Sequence, residues 1–98
     1  MAAKTIAPYA QAAAYVSKDG TVQHSKGVVS VQRTDAGRYT ITLEDGIDAE
    51  KSAPQATLQQ SADWKGEIFV KVTATNTVGV LTGVNGSAAD EPFYFMLP

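Results

Sequence analysis

Residues 27–45 read GVVSVQRTDAGRYTITLED, and this stretch constrains the fold more than any other. Apolar and polar side chains alternate, the chain turns at Asp35-Ala36-Gly37, and the alternation resumes. Successive side chains of a β-strand point to opposite faces, so a period of two means one buried face and one wet face. Val29 and Val31 are expected on one face of the first strand, with Ser30, Gln32 and Thr34 on the other. Tyr39, Ile41 and Leu43 are expected on one face of the second, with Arg38, Thr40 and Thr42 on the other. A hairpin with one apolar face cannot stand alone, so a second layer must cover it.

The rest of the chain supplies that layer. Asp19-Gly20 signals a two-residue hairpin turn between strands at 13–18 and 21–25. Glu44-Asp45-Gly46 is the next turn, and 47–53 read as a loop. PQATLQQ (54–60) suits a short strand with Ala56 and Leu58 inward. EIFVKVTAT (67–75) places Ile68, Val70, Val72 and Ala74 on one face and Phe69, Lys71 and Thr73 on the other. Phe69 then either forms a contact surface or is covered by a neighbouring loop. TVGVLTGV (77–84) is a further strand, and NGSAADEP a polar loop ending at Pro92. FYFML (93–97) is apolar throughout, which predicts that both its faces are covered, one by the sandwich and the other by something else, for which another subunit is one candidate. Seven or eight short strands with frequent turns predict an all-β chain, a small antiparallel β-sandwich over 13–98. Residues 1–12 are small and alanine-rich with Pro8 inside, and read as an extended N-terminal arm. Ile6, Pro8 and Tyr9 would be its anchors on a partner; an untethered tail is the plainer reading.

Composition narrows the function classes. Ninety-eight residues suit one domain, and 44% hydrophobic content is enough for a core. Charged residues are only 18%, below the usual quarter, which suits a protein packed against neighbours as well as a free one. A net charge of −2 and scattered Lys and Arg give no reason to expect nucleic acid or an anionic membrane as partner. No apolar run nears the roughly 18 residues a membrane span needs. MAAKTIAPYAQA lacks a continuous apolar stretch, so a signal peptide is not expected. With no cysteine there is no disulfide, thiolate or sulfur-ligated zinc.

The inventory for chemistry is thin. His24 is the one histidine, and no serine sits in a nucleophile-elbow context, so a catalytic triad is not expected. His24 reads as a surface or interface residue whose titration near neutrality would make a contact pH-sensitive. Glu44, Asp45, Asp48 and Glu50, and the pair Asp90-Glu91, fall in loops. Neither cluster has the spacing of a calcium loop or a reason to converge as an acid–base pair. No catalytic residue, cofactor or metal is expected. Tyr9, Tyr15, Tyr39, Tyr94 and Trp64 offer rings for stacking on sugars; Trp64 alternatively caps the open end of the core.

DGTVQHSKGVVSVQRTDAGRYTITL, residues 19–43, together with Asp90-Glu91-Pro92-Phe93, resembles a β-rich module of bacterial and phage proteins. Its members carry a segment like GTV…S.GV.SV.RTG.G.Y.VTF and a closing segment like DRPF. About a third of the chain is involved, through turn glycines, a turn-flanking tyrosine and a closing strand rather than catalytic groups. The resemblance implies a part of a phage tail fibre or another surface or virion protein. The fibre arrangement implies a long preceding stalk, whereas a short arm precedes the module here. A small sandwich with an arm resembles a phage capsid cement (decoration) protein, made in the bacterial cytoplasm and bound to the capsid exterior. Its expected partners are the major capsid protein and its own copies, as dimer or trimer. Ile6, Pro8, Tyr9, Phe69, Phe93, Tyr94 and Phe95 are the expected contact residues. The alternative is a carbohydrate- or receptor-binding module of a tail fibre or surface protein, using Trp64 and tyrosines at loop tips.

Overall fold

The computed structural model describes residues 10–59 and 65–98. Nine strands form two antiparallel sheets: β1 (Ala12–Val16), β2 (Val22–Lys26), β3 (Val28–Asp35), β4 (Arg38–Leu43), β5 (Gln55–Leu58), β6 (Gly66–Ala74), β7 (Thr77–Val84), β8 (Ser87–Ala88) and β9 (Phe93–Leu97). One sheet has the order β2-β1-β9-β5; the other runs β3-β4-β7-β6, with β8 added against the end of β7. The chain is therefore the small all-β sandwich that the side-chain period predicts.

Alternation selects the core. Ala12, Ala14 and Val16 of β1 and Phe93, Phe95 and Leu97 of β9 face Tyr39, Ile41 and Leu43 of β4 and Val78 and Val80 of β7. Cross-strand pairing matches sizes: Ala14 lies opposite Phe95, and Ala12 opposite Leu97. The alanines leave the volume that the larger side chains occupy. Tyr39 packs edge-on against Phe93 with ring centroids 5.0 Å apart.

Several local readings need correction. The β1–β2 loop is not a two-residue turn. Gly20 N–H donates to the Ser17 carbonyl and Ser17 N–H to Thr21, so Lys18-Asp19-Gly20 form a three-residue loop. Gly20, at φ +93°, takes the extra left-handed position. Val29 and Val31 do not share a face, because the β3–β4 register shifts between Val28 and Ser30. This bulge puts Val28 and Val31 against the core and leaves Val29 64% exposed. The 47–53 loop contains a 3-10 turn at Ala49–Lys51, which buries Ala49 completely.

The arm's anchors Ile6, Pro8 and Tyr9, and Trp64, lie outside the described residues. The sheet already holds the two residues before β1: Ala10 is buried, and Gln11 donates to the carbonyls of Leu97 and Pro98.

Within the closing strand, Phe93 and Phe95 are sealed in the core at 0% and 1% exposure, so they are not surface contacts. They share the inward face of β9, whereas Tyr94 and Met96 point outward and are 45% and 39% exposed. The outer face of β9 is thus uncovered in the single chain. Phe95→Ala is expected to cost about 3–5 kcal/mol, while Tyr94→Ala costs under about 1 kcal/mol. Urea denaturation of the two variants checks this division.

Candidate functional site: the outer sheet faces and the Asp90 clamp

The outer face of the β2-β1-β9-β5 sheet is the most apolar surface among the described residues. Register builds it as two rows across four strands. His24, Tyr15, Tyr94 and Thr57 form one row; Lys26, Ala13, Met96 and Gln55 form the other. Tyr15 stacks on His24 at 6.3 Å between ring centroids and leans on Tyr94 at 5.0 Å. Ala13, small and flanked by larger neighbours, floors a groove of about 430 Å³ lined by Tyr15, His24, Tyr94 and Met96. Lys26, at one end of the lower row, stands directly opposite Ala13, and the groove lining carries no acid.

The opposite outer face is different. On β7, Gly79 and Gly83 flank Leu81, which is 36% exposed, and Phe69 of β6 stands opposite Leu81 in register. Phe69 is 62% exposed, so the expectation that a neighbouring loop covers it is not met. Arg38 completes the row on the β4 side. The two apolar patches lie on opposite outer faces of the sandwich.

A polar clamp fixes one end of the sandwich. Asp90 Oδ2 accepts from Arg33 Nε at 2.8 Å, and Oδ1 accepts from the backbone N–H of Gly37 at 2.7 Å. The Tyr39 hydroxyl donates to the Lys18 carbonyl at 2.6 Å and lies 3.3 Å from Asp90 Oδ1. Burial pushes the Asp90 carboxyl up, but the Gly37 N–H, Arg33 and Tyr39 outweigh it and hold the group below its ordinary 3.8. Burial, with the Asp90 charge beside it, pushes Tyr39 up to about 12. Next in the chain, Glu91 is 6% exposed, and its Oε2 is buried without a hydrogen-bond partner. Burial raises its pKa above the ordinary 4.5.

Arg33, Gly37, Tyr39, Asp90 and Phe93 are distant in sequence and meet in one cluster. Gly37 is fixed sterically: φ is +68°, and a Cβ there would sit 2.2 Å from the Thr82 carbonyl oxygen and 2.8 Å from Ala89 N. Arg33, Tyr39 and Asp90 each hold strands or turns together.

Two of the loop carboxylates, Asp48 and Glu50, are likewise occupied. Asp48 Oδ1 accepts from Glu50 N–H and caps the 3-10 turn, and Glu50 Oε1 accepts from Thr75 Oγ1 at 2.9 Å. No three His, Asp or Glu side chains converge among the described residues. Of the tyrosines offered for stacking, Tyr39 is buried, while Tyr15 and Tyr94 lie mid-strand rather than at loop tips. The aromatic row was missed because its members come from three separate strands; only the register joins them. No family model matches the chain, and comparison with curated proteins and solved structures also finds no match.

Asp90 gives a stability signature with a defined sign. Its folded pKa is depressed, so its contribution is complete above 3.8 and is lost as pH falls through the lower folded value. Asp90→Asn is expected to cost about 2 kcal/mol at neutral pH. The gap from the parent should close on acidification below 3.8, as thermal melts at a series of pH values would record. Glu91 has the opposite sign: its burial penalty is present above its raised folded pKa and relieved below 4.5. Gly37→Ala is expected to cost more than about 3 kcal/mol. Gly46→Ala, at φ +91° with nothing within 4 Å of the added Cβ, should cost about 1 kcal/mol. Paired denaturation curves separate the two glycines.

Proposed function

We propose that this chain is a non-enzymatic structural protein of a phage particle, of the capsid cement type, acting on the outside of the shell. It works by adhesion: the sandwich is a stiff spacer, and its partners are shell subunits and its own copies. The observation that carries this reading is the placement of apolar groups on both outer faces. Ala13, Tyr15, Tyr94 and Met96 lie on one side, Phe69 and Leu81 on the other. A soluble domain working alone needs only one buried face per sheet. Two sticky faces back to back suit a molecule that sits between neighbours. Many such contacts repeated over a shell make weak individual binding effectively tight. The resemblance of residues 19–43 and 90–95 to the phage module supports the same reading, as does the low charge content.

A second reading has one observation in its favour. Tyr15 and Tyr94 form an exposed ring pair beside a groove, a surface on which a sugar ring of a glycan could stack. In that case the chain is a carbohydrate- or receptor-binding module.

The test uses purified particles of the phage that encodes the chain. Cryo-EM should place the protein on the capsid exterior, and purified chain should co-sediment with shells stripped of it. Met96→Glu puts a charge in the centre of the apolar face and should weaken that binding at least about ten-fold without unfolding the protein. Absence from the particle overturns the proposal. Binding on a glycan array that disappears in Tyr15→Ala, with no shell binding, selects the second reading.

A further inference from the structure

The edge of the β3-β4-β7-β6 sheet is built to pair with itself. β6 is the longest strand, nine residues, and among the described residues it pairs only with β7. β5, the nearest strand of the other sheet, is itself paired to β9. The direction of each backbone group on β6 follows from three hydrogen bonds. Thr82 N–H donates to Gly37 and Leu43 N–H to Asn76, so the even residues of β7 turn their backbone groups toward β4. The odd residues of β7 then face β6, as the bond from Asn85 N–H to the Lys65 carbonyl requires. In register, Leu81 pairs with Phe69 and Gly79 with Lys71. The odd residues of β6 therefore spend their backbone on β7. Ile68, Val70 and Val72 aim theirs away from β7, and β5, which lies near β6, is paired to β9 instead.

The side chains tell the same story. Inward residues of the interior strands are sealed, with Ile41, Val78 and Val80 at 0% exposure. The inward residues of β6, namely Ile68, Val70 and Val72, are only half-buried. Of the devices that usually blunt a long edge, β6 has an exposed lysine, Lys71, and a register irregularity between Val72 and Ala74, but no proline and no inward charge.

We infer that two copies of this chain join through their β6 edges, antiparallel about a two-fold axis at Phe69. In this register Ile68 of one copy pairs with Val70 of the other, and both present their backbone groups to the open side. Two such pairs give four N–H···O=C bonds. On the outer face, Glu67 stands opposite Lys71 of the second copy, twice, and the two Phe69 rings meet at the centre. Moving the axis to Val70 would set Glu67 opposite Thr73 and Lys71 opposite Phe69, with no charge match. The complementarity of Glu67 and Lys71 about Phe69 thus selects both the partner and the register. Glu67 holds Gly86 N–H through Oε1 at 2.7 Å, which leaves Oε2 for the lysine. This inference gives the self-contact of the adhesive reading a location, but it stands on the strand geometry alone.

Charge reversal tests it. By sedimentation velocity the parent chain should be a dimer that dissociates on dilution. Lys71→Glu should raise the dissociation constant about ten-fold, since two attractive cross-strand pairs become repulsive. The double variant Glu67→Lys with Lys71→Glu restores the pairing with signs exchanged and should recover the dimer. Because Glu67 also ties down Gly86, thermal melts accompany each variant, and Lys71→Glu, which breaks no contact within the chain, carries the comparison. Hydrogen exchange by NMR should show the Ile68 and Val70 amides protected at high concentration and exposed in Lys71→Glu. A monomer at all concentrations, or fast exchange at both amides in a dimer, overturns the inference. So does a double variant no tighter than Lys71→Glu. A monomer that still binds shells would remove this interface and leave the cement reading in place.

Discussion

The bracket made by Asp90 is the constraint around which the two sheets are arranged. One carboxylate reaches the turn of β3–β4 through Gly37 N–H, the body of β3 through Arg33 and the core side of β4 through Tyr39. It sits just before β9, the central strand of the other sheet. A charged acceptor shared among several donors in a partly dry setting is stronger than neutral bonds, and it is directional. It therefore fixes how one sheet meets the other at this end. Apolar contact between Tyr39 and Phe93 then continues the same junction into the interior. Glu91, buried and unpartnered beside it, is the cost of carrying the chain through so tight a passage.

Once the two inner faces are satisfied, the outer faces are free to serve another purpose. Their composition is not that of wet sheet surfaces. Alternation along β9 is apolar on both phases, and Phe69 interrupts an otherwise polar outer row on β6. Neither feature helps the isolated fold, because exposed aromatic area in water brings no burial energy. An adhesive role gives both a use. The proposed pairing of β6 edges would add a third, directional mode of contact that works through the backbone rather than through faces.

Much of this was legible in the residues. β4 and most of β6 follow from a period of two, since each has one face that water must not reach. What failed did so for local reasons. Val29 is misplaced by one bulged residue, which the alternation cannot reveal because valine suits either face. The loop at Lys18-Asp19-Gly20 has one residue more than the Asp-Gly signal suggests, since that dipeptide serves both turn types. Phe93 and Phe95 were counted with Tyr94 as contacts because an unbroken apolar run hides which phase is inward. The clamp itself was visible only as an unexplained similarity of spaced residues; chain separation of 51 to 57 positions leaves no local trace. The stacked row of His24, Tyr15 and Tyr94 depends on strand order, which no single segment encodes.

The open turn at Glu44-Asp45-Gly46 has a practical corollary. No heavy atom outside the immediate chain neighbours approaches within 4 Å of where a side chain on Gly46 would begin. None of the three turn residues lines the groove. Loops of this kind accept added length at little entropic cost. An epitope or fluorophore tag grafted between Asp45 and Gly46 would therefore ride on the assembled scaffold as a passenger, giving a natural port for display.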